Sequence, residues 1–292
     1  MNKKYILMAT LLLLLVFALL QIDRQSLIGS LRQIPLWLIL LLCSLQILTQ
    51  LLVNLQWHRI LKLSGSSLSF KDMFYINSQG AVMDAITPGV KFGGEVTRVV
   101  QLSRMGNIPR EQAAAVIAMQ KMLSIGALVF VLMFAARQYI FAIAALILLV
   151  CIGLFFARKW KRMRAFLSAL RKQIKNTAKN KKAFVALFGL SLFIWLLYPA
   201  KMYIVAMQFY PTANMFYIVG ITFAAYMVAM LPIFPGGVGG FEGTMSGLLI
   251  AAGYAINDAA VITILFRFIT FWFVLLFSLA FIGFCKARRK LC

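Results

Sequence analysis

Pro235-Gly236-Gly237-Val238-Gly239-Gly240-Phe241-Glu242 breaks an otherwise apolar stretch, and an earlier segment follows the same pattern. Pro88-Gly89-Val90-Lys91-Phe92-Gly93-Gly94-Glu95 shares the form P-G-x-x-x-G-x-E and lies 147 residues earlier. Proline lacks a backbone donor and glycine is a poor helix former, so no straight helix passes through either segment. Each break sits inside a longer apolar segment, 73–104 and 215–253. Each of these is predicted to be a helical hairpin that returns to the side from which it came.

Working outward, apolar runs at 5–22, 35–57, 112–136, 138–157, 183–210 and 259–285 are each about the 20 residues that a spanning helix needs. Hydrophobic residues make up 63% of the 292 and charged residues 13%, against about 45–50% and about 25% in soluble domains. A soluble fold of this length could not hide so much apolar surface. In lipid, a helix satisfies its own backbone hydrogen bonds within one segment. The predicted fold is therefore an all-α polytopic membrane protein with about six full spans and two broken hairpins. The first run follows two lysines as a signal peptide would, but no small-x-small cleavage site follows it, so an uncleaved first span is expected.

The 147-residue offset also carries 35–57 onto 182–204 and 112–136 onto 259–283, while the first spans align poorly. The chain thus reads as two repeats, 1–136 and 137–292, each of the form span, span, hairpin, span. Three full spans separate the hairpins, so one hairpin enters from each face: an inverted repeat, as in many secondary transporters.

Charge sets the orientation. With the N-terminus in the cytoplasm, 23 Lys and Arg fall inside, three outside and four within membrane segments; this asymmetry follows the positive-inside rule. Both termini are expected in the cytoplasm of a cell-membrane protein. The net charge of +23 is read as cytoplasmic loops facing anionic lipid and not as a nucleic-acid surface. Eleven basic residues and no acid occupy a predicted cytoplasmic loop, 158–182, where topology anchoring and attraction of anionic lipid both fit. Cys43, Cys151, Cys285 and Cys292 form no CxxC pair, and His58 is the single histidine. No metal site and no cofactor is expected, and His58 is read as marking a helix end.

The two P-G-x-x-x-G-x-E elements, PGGVGGFEG at 235–243 and the eight-segment length resemble the transmembrane region of lysylphosphatidylglycerol synthases, the flippase part of the multiple peptide resistance factor. Lys91-Phe92-Gly93-Gly94 departs from the Arg-Leu-Gly type of run expected there. The resemblance implies an integral membrane flippase that moves a phospholipid, or lysyl-phosphatidylglycerol, between leaflets, with a link to lipid metabolism and antibiotic resistance. It also allows a membrane component of a phosphatidylglycerol lysyltransferase. The chain reads Lys290-Leu291-Cys292 soon after its last span, so the soluble synthase domain is not expected. A secondary transporter of a small anionic solute shares the same architecture. An enzyme would need a base and a nucleophile, and Asp72, Asp84, His58 and Glu111 form no such constellation. A homo-oligomer stays open.

Candidate site residues follow from the hairpins. A helix that restarts near Gly93 or Gly239 exposes unpaired N–H groups and partial positive charge, and Gly236, Gly237, Gly239 and Gly240 would let a phosphate approach the backbone; tight helix packing explains the same glycines. Glu95 and Glu242 would cap these helices, pair with cations or carry a proton. Lys121 and Arg267 lie deep in spans, where a charge costs about 2.5–3.5 kcal/mol. With Lys91, they are the candidate ligands of a lipid phosphate, and pairing with Glu95 and Glu242 is the structural alternative. Gln46, Gln50 and Asn54 share one helix face, as interhelical glue or a polar track. Lys201, after Pro199, is expected to snorkel outward.

Overall fold

The structure, a computed structural model, describes Gly29 and residues 32–87, 92–135, 161–229 and 237–288. The spans read at 5–22 and 138–157 lie outside the described residues. The elements are α1 (Leu36–Leu63), α2 (Phe70–Ile86), α3 (Phe92–Met105), α4 (Arg110–Ala135), α5 (Lys161–Lys179), α6 (Lys181–Ala206), α7 (Met215–Ala229), α8 (Gly240–Ala251), α9 (Ile256–Arg267), a π turn (Phe268–Trp272) and α10 (Phe273–Ala287). Among the described residues four helices are long and apolar enough to cross a membrane: Leu36–Leu63, Arg110–Val131, Lys181–Ala206 and Ile256–Ala287.

Helix ends follow local chemistry. Helix α1 stops at Gly65, whose φ of 82° suits a left-handed cap. Ser69 then caps α2: its Oγ accepts the Asp72 N–H at 3.1 Å, and Asp72 Oδ2 accepts the Ser69 N–H at 3.0 Å. Pro109 precedes the first residue of α4, a position where its missing N–H is not needed. Asn214 Oδ1 accepts the N–H of Phe216 at 2.9 Å at the start of α7.

Shifted by 147, α1 falls on α6, α2 on α7, α3 on α8, and α4 on α9–α10, with ends agreeing to within five residues. The repeat extends from sequence to element boundaries. Segment 158–182 departs from its reading as a loop. Residues 161–179 form helix α5, because Met163, Phe166, Leu167, Leu170 and Ile174 recur at helical spacing between the basic residues.

The chain forms two compact units, each discontinuous. Unit one contains the described parts of Met1–Ile47, Asp84–Lys91 and Tyr198–Leu276; unit two those of Leu48–Met83, Phe92–Leu197 and Phe277–Cys292. In unit one, α7 packs on α8 and α8 on α9, around Leu38, Met202, Phe241, Met245 and Phe266. The Tyr210 ring, before α7, meets that of Tyr254, after α8, at 5.4 Å, so this hairpin closes at its base. In unit two, α3 packs on α4 and α5 along α4, around Trp57, Ile60, Met73, Leu102 and Val116. Leu68, before α2, lies against Gly106, after α3; that hairpin closes at its base too.

Lipid gives little hydrophobic drive between helices, so polar contacts and small residues hold them together. Gln56 illustrates this in unit two. Its amide donates to the Leu187 carbonyl at 3.3 Å and to Ser191 Oγ, and its oxygen accepts from Gln120 at 3.2 Å. Trp195 Nε1 donates to the Ser124 carbonyl at 2.8 Å and ties α6 to α4.

Candidate functional site

In unit two, α3 begins directly after the Pro-Gly break, and Glu95 stands in its first turn. Helix α4 presents Lys121, whose Nζ is 2.8 Å from Glu95 Oε1. Arg98, one turn along α3, reaches the same oxygen at 3.3 Å. The Lys121 side chain is 42% exposed. Glu95 Oε2 is buried without a hydrogen-bond partner among the described residues. Gly80 of α2 completes the site, since a Cβ there would lie 2.5 Å from Arg98 Nε. Only a glycine lets the guanidinium rest against that helix.

In unit one the same elements recur with a more deeply buried cation. Gly239, at φ 87°, caps α8, and its N–H donates to Glu242 Oε2 at 2.6 Å. Glu242 Oε1 is 2.9 Å from Arg267 Nε, and the Arg267 side chain is 7% exposed. The guanidinium also lies over Phe271 at 4.1 Å and Phe241 at 4.8 Å, so aromatic faces stand in for lost hydration. Phe241 stacks on Phe266 at 6.2 Å and takes the edge of Tyr226 at 5.1 Å. Gly237, at φ 75°, sits so close to the end of α7 that a Cβ would lie 2.8 Å from Ala229 Cβ. Gly240 is buried at the first turn of α8.

The π turn opens directly after Arg267. Such turns insert one residue and are frequent at functional sites. Lys121 and Arg267 are 146 residues apart, one short of the repeat offset, and the inserted residue offsets that deficit.

Lys121 and Arg267 are therefore each within ion-pair distance of a first-turn glutamate. Lys91 and Gly236 lie outside the described residues. Gly93 stands two residues before Glu95, and its carbonyl accepts from Thr97 Oγ1 at 2.8 Å. Arg98 and Gly80 are site residues that the sequence reading missed. The i, i+3 spacing of Glu95 and Arg98 was the available signal.

Lys201 does not snorkel. It is fully buried in unit one, where it donates to Gln46 Oε1 and lies over the Tyr198 ring at 4.6 Å. Tyr198 in turn meets Tyr226 at 5.3 Å. Rotation of α6 turns this residue inward, and Gln46 with an aromatic face receives the charge. Gln50 and Asn54 line a small cleft in unit two with Phe74, Asn77, Ser78, Phe277 and Ser278. Asn54 also joins helices: it donates to the Phe70 carbonyl at 3.0 Å and accepts from Asn77 at 2.9 Å. His58 lies inside α1, five residues before its end, with its ring edge-on to Phe70 at 5.8 Å. No group of three or more His, Cys, Asp or Glu suited to a metal occurs among the described residues.

The described residues are helical, with four helices long and apolar enough to cross a membrane, and two of the shorter helices start with a glutamate that pairs with a cation of the helix that follows. The family described as lysylphosphatidylglycerol synthase TM region matches residues 5–278, and the chain belongs to it. A UPF0104 membrane protein of Methanothermobacter thermautotrophicus is 21% identical over 276 residues, covering 81% of this chain and 82% of that one. Another, from Pyrococcus horikoshii, is 23% identical over 279 residues, 80% of this chain and 83% of that one. A third, from Methanocaldococcus jannaschii, is 28% identical over 102 residues, 35% of this chain and 30% of that one.

Proposed function

We propose that the protein is a lipid transporter of the cell membrane that moves an anionic phospholipid between leaflets. Glu95–Lys121 and Glu242–Arg267 serve as two stations for its phosphate. The observation that carries this reading is the recurrence of one arrangement in both repeats: a glycine break, a restarted helix, a first-turn glutamate and a cation from the following span. Cations that only needed neutralising would not have to recur beside a broken helix.

Each carboxylate occupies the place of an anion. An incoming phosphate exchanges with it for Lys121 or Arg267; the displaced Glu242 stays on the Gly239 N–H, and the displaced Glu95 stays beside Arg98. Neither cation is then left bare, a state that costs several kcal/mol away from water. Arg267 offers a planar fork to two phosphate oxygens and Lys121 a point charge. Inverted repeats that enter from opposite faces, with cytoplasmic termini, are a plan on which secondary transporters move a substrate across the bilayer.

The test is leaflet exchange in proteoliposomes of the whole chain, using headgroup-labelled phosphatidylglycerol and phosphatidylcholine, with efflux of a small anion followed in parallel. Faster exchange of phosphatidylglycerol than of phosphatidylcholine is expected. Saturable anion efflux without lipid exchange would replace the lipid reading with that of a solute transporter.

A further inference from the structure

Helix α5 carries seven Lys and Arg and no acidic residue over Lys161–Lys179, and its two faces differ. Gln173 and Thr177 are buried, and Ile174 packs against the core of unit two. Arg171, Lys172 and Lys175 are exposed. Gln173 acts as a clamp on the end of α1. Its Oε1 accepts from Ser64 Oγ at 2.7 Å, and its Nε2 donates to the Ile60 carbonyl at 3.3 Å. The Ser64 carbonyl accepts from Gln112 Nε2 of α4 at 3.0 Å. Helix α5 is thus fastened where α1 ends and α4 begins, and exposed Lys181 and Lys182 follow it at the start of α6.

A basic amphipathic helix held at the ends of spanning helices lies at headgroup level. Its exposed charge there meets the surface of the leaflet, and anionic lipid is the complementary partner at that depth. The clamp reaches further. Ser64 opens the short connection to α2, and Leu68 in that connection rests against Gly106 at the base of the first hairpin.

We propose that α5 is an interfacial helix that binds anionic headgroups through Arg171, Lys172 and Lys175. Through Gln173 it makes the order of residues 64–69 depend on that lipid. The inference holds whatever the protein transports.

The test uses the whole chain in nanodiscs of phosphatidylcholine with or without phosphatidylglycerol. Two quantities are read: the enrichment of phosphatidylglycerol among lipids retained in native mass spectrometry, and amide-exchange protection of residues 64–69. The triple substitution R171Q/K172Q/K175Q is expected to lower enrichment roughly 100-fold, as each basic residue is worth about fivefold near an anionic surface. It also abolishes the extra protection that phosphatidylglycerol confers. Gln173→Ala keeps the enrichment and loses that extra protection. Wild-type enrichment in the triple variant would overturn the headgroup site. Protection of 64–69 that is the same in both lipid mixtures for the unaltered protein, or unchanged lipid dependence in Gln173→Ala, would overturn the coupling.

Discussion

The two glutamate–cation pairs share a plan and differ in environment. Lys121 is 42% exposed, with Arg98 beside the same carboxylate, whereas Arg267 is 7% exposed, sits over two aromatic rings and precedes a π turn. A charge in contact with solvent or headgroups needs little from its neighbours; a buried one needs a partner and a polarisable surround. The difference separates stability from function: the buried pair should matter for both, the open pair for transport alone.

The largest effect is therefore expected from Arg267→Ala, which leaves Glu242 without its cation. A loss of about 3 kcal/mol, seen as a large drop in the melting temperature in detergent, should accompany loss of lipid exchange. Arg267→Lys sharpens the comparison by keeping the charge without the fork and the ring stacking, and should recover part of the stability. Gly237→Ala comes next. It places a Cβ at a left-handed φ of 75° and 2.8 Å from Ala229 Cβ, so about 1–3 kcal/mol should be lost. In the open site, Gly80→Ala pushes against Arg98 Nε at 2.5 Å. The side chain can move, so about 1 kcal/mol is expected. The smallest stability change should follow Lys121→Ala, at most about 1 kcal/mol. A melting temperature that falls as far for Lys121→Ala as for Arg267→Ala would break the contrast between the two sites.

Much of this architecture was legible in the sequence, since spans and breaks depend on local composition. Apolar length gives the four spans, and Pro with Gly gives the interruptions before α3 and α8. Glutamates and cations at matching offsets were legible as candidates for the same reason. What was not legible depends on rotation and packing. Whether Lys201 faces lipid or the bundle is set by how α6 turns against Gln46 and Tyr198, which no local pattern encodes. The space for Arg98 beside Gly80 depends on how α2 meets α3. Helix α5 was hidden differently: its charge density reads as a loop unless the apolar residues between the charges are counted at helical spacing.

The most direct test is the rate of headgroup-labelled phosphatidylglycerol exchange in proteoliposomes of Lys121→Ala and Arg267→Ala, with incorporation of folded protein matched to the unaltered chain. If the phosphate must pass both stations, each substitution alone slows exchange at least ~10-fold, the ~1.4 kcal/mol or more expected for one charged contact removed. Exchange at the unaltered rate in either variant would contradict the assignment of two phosphate stations.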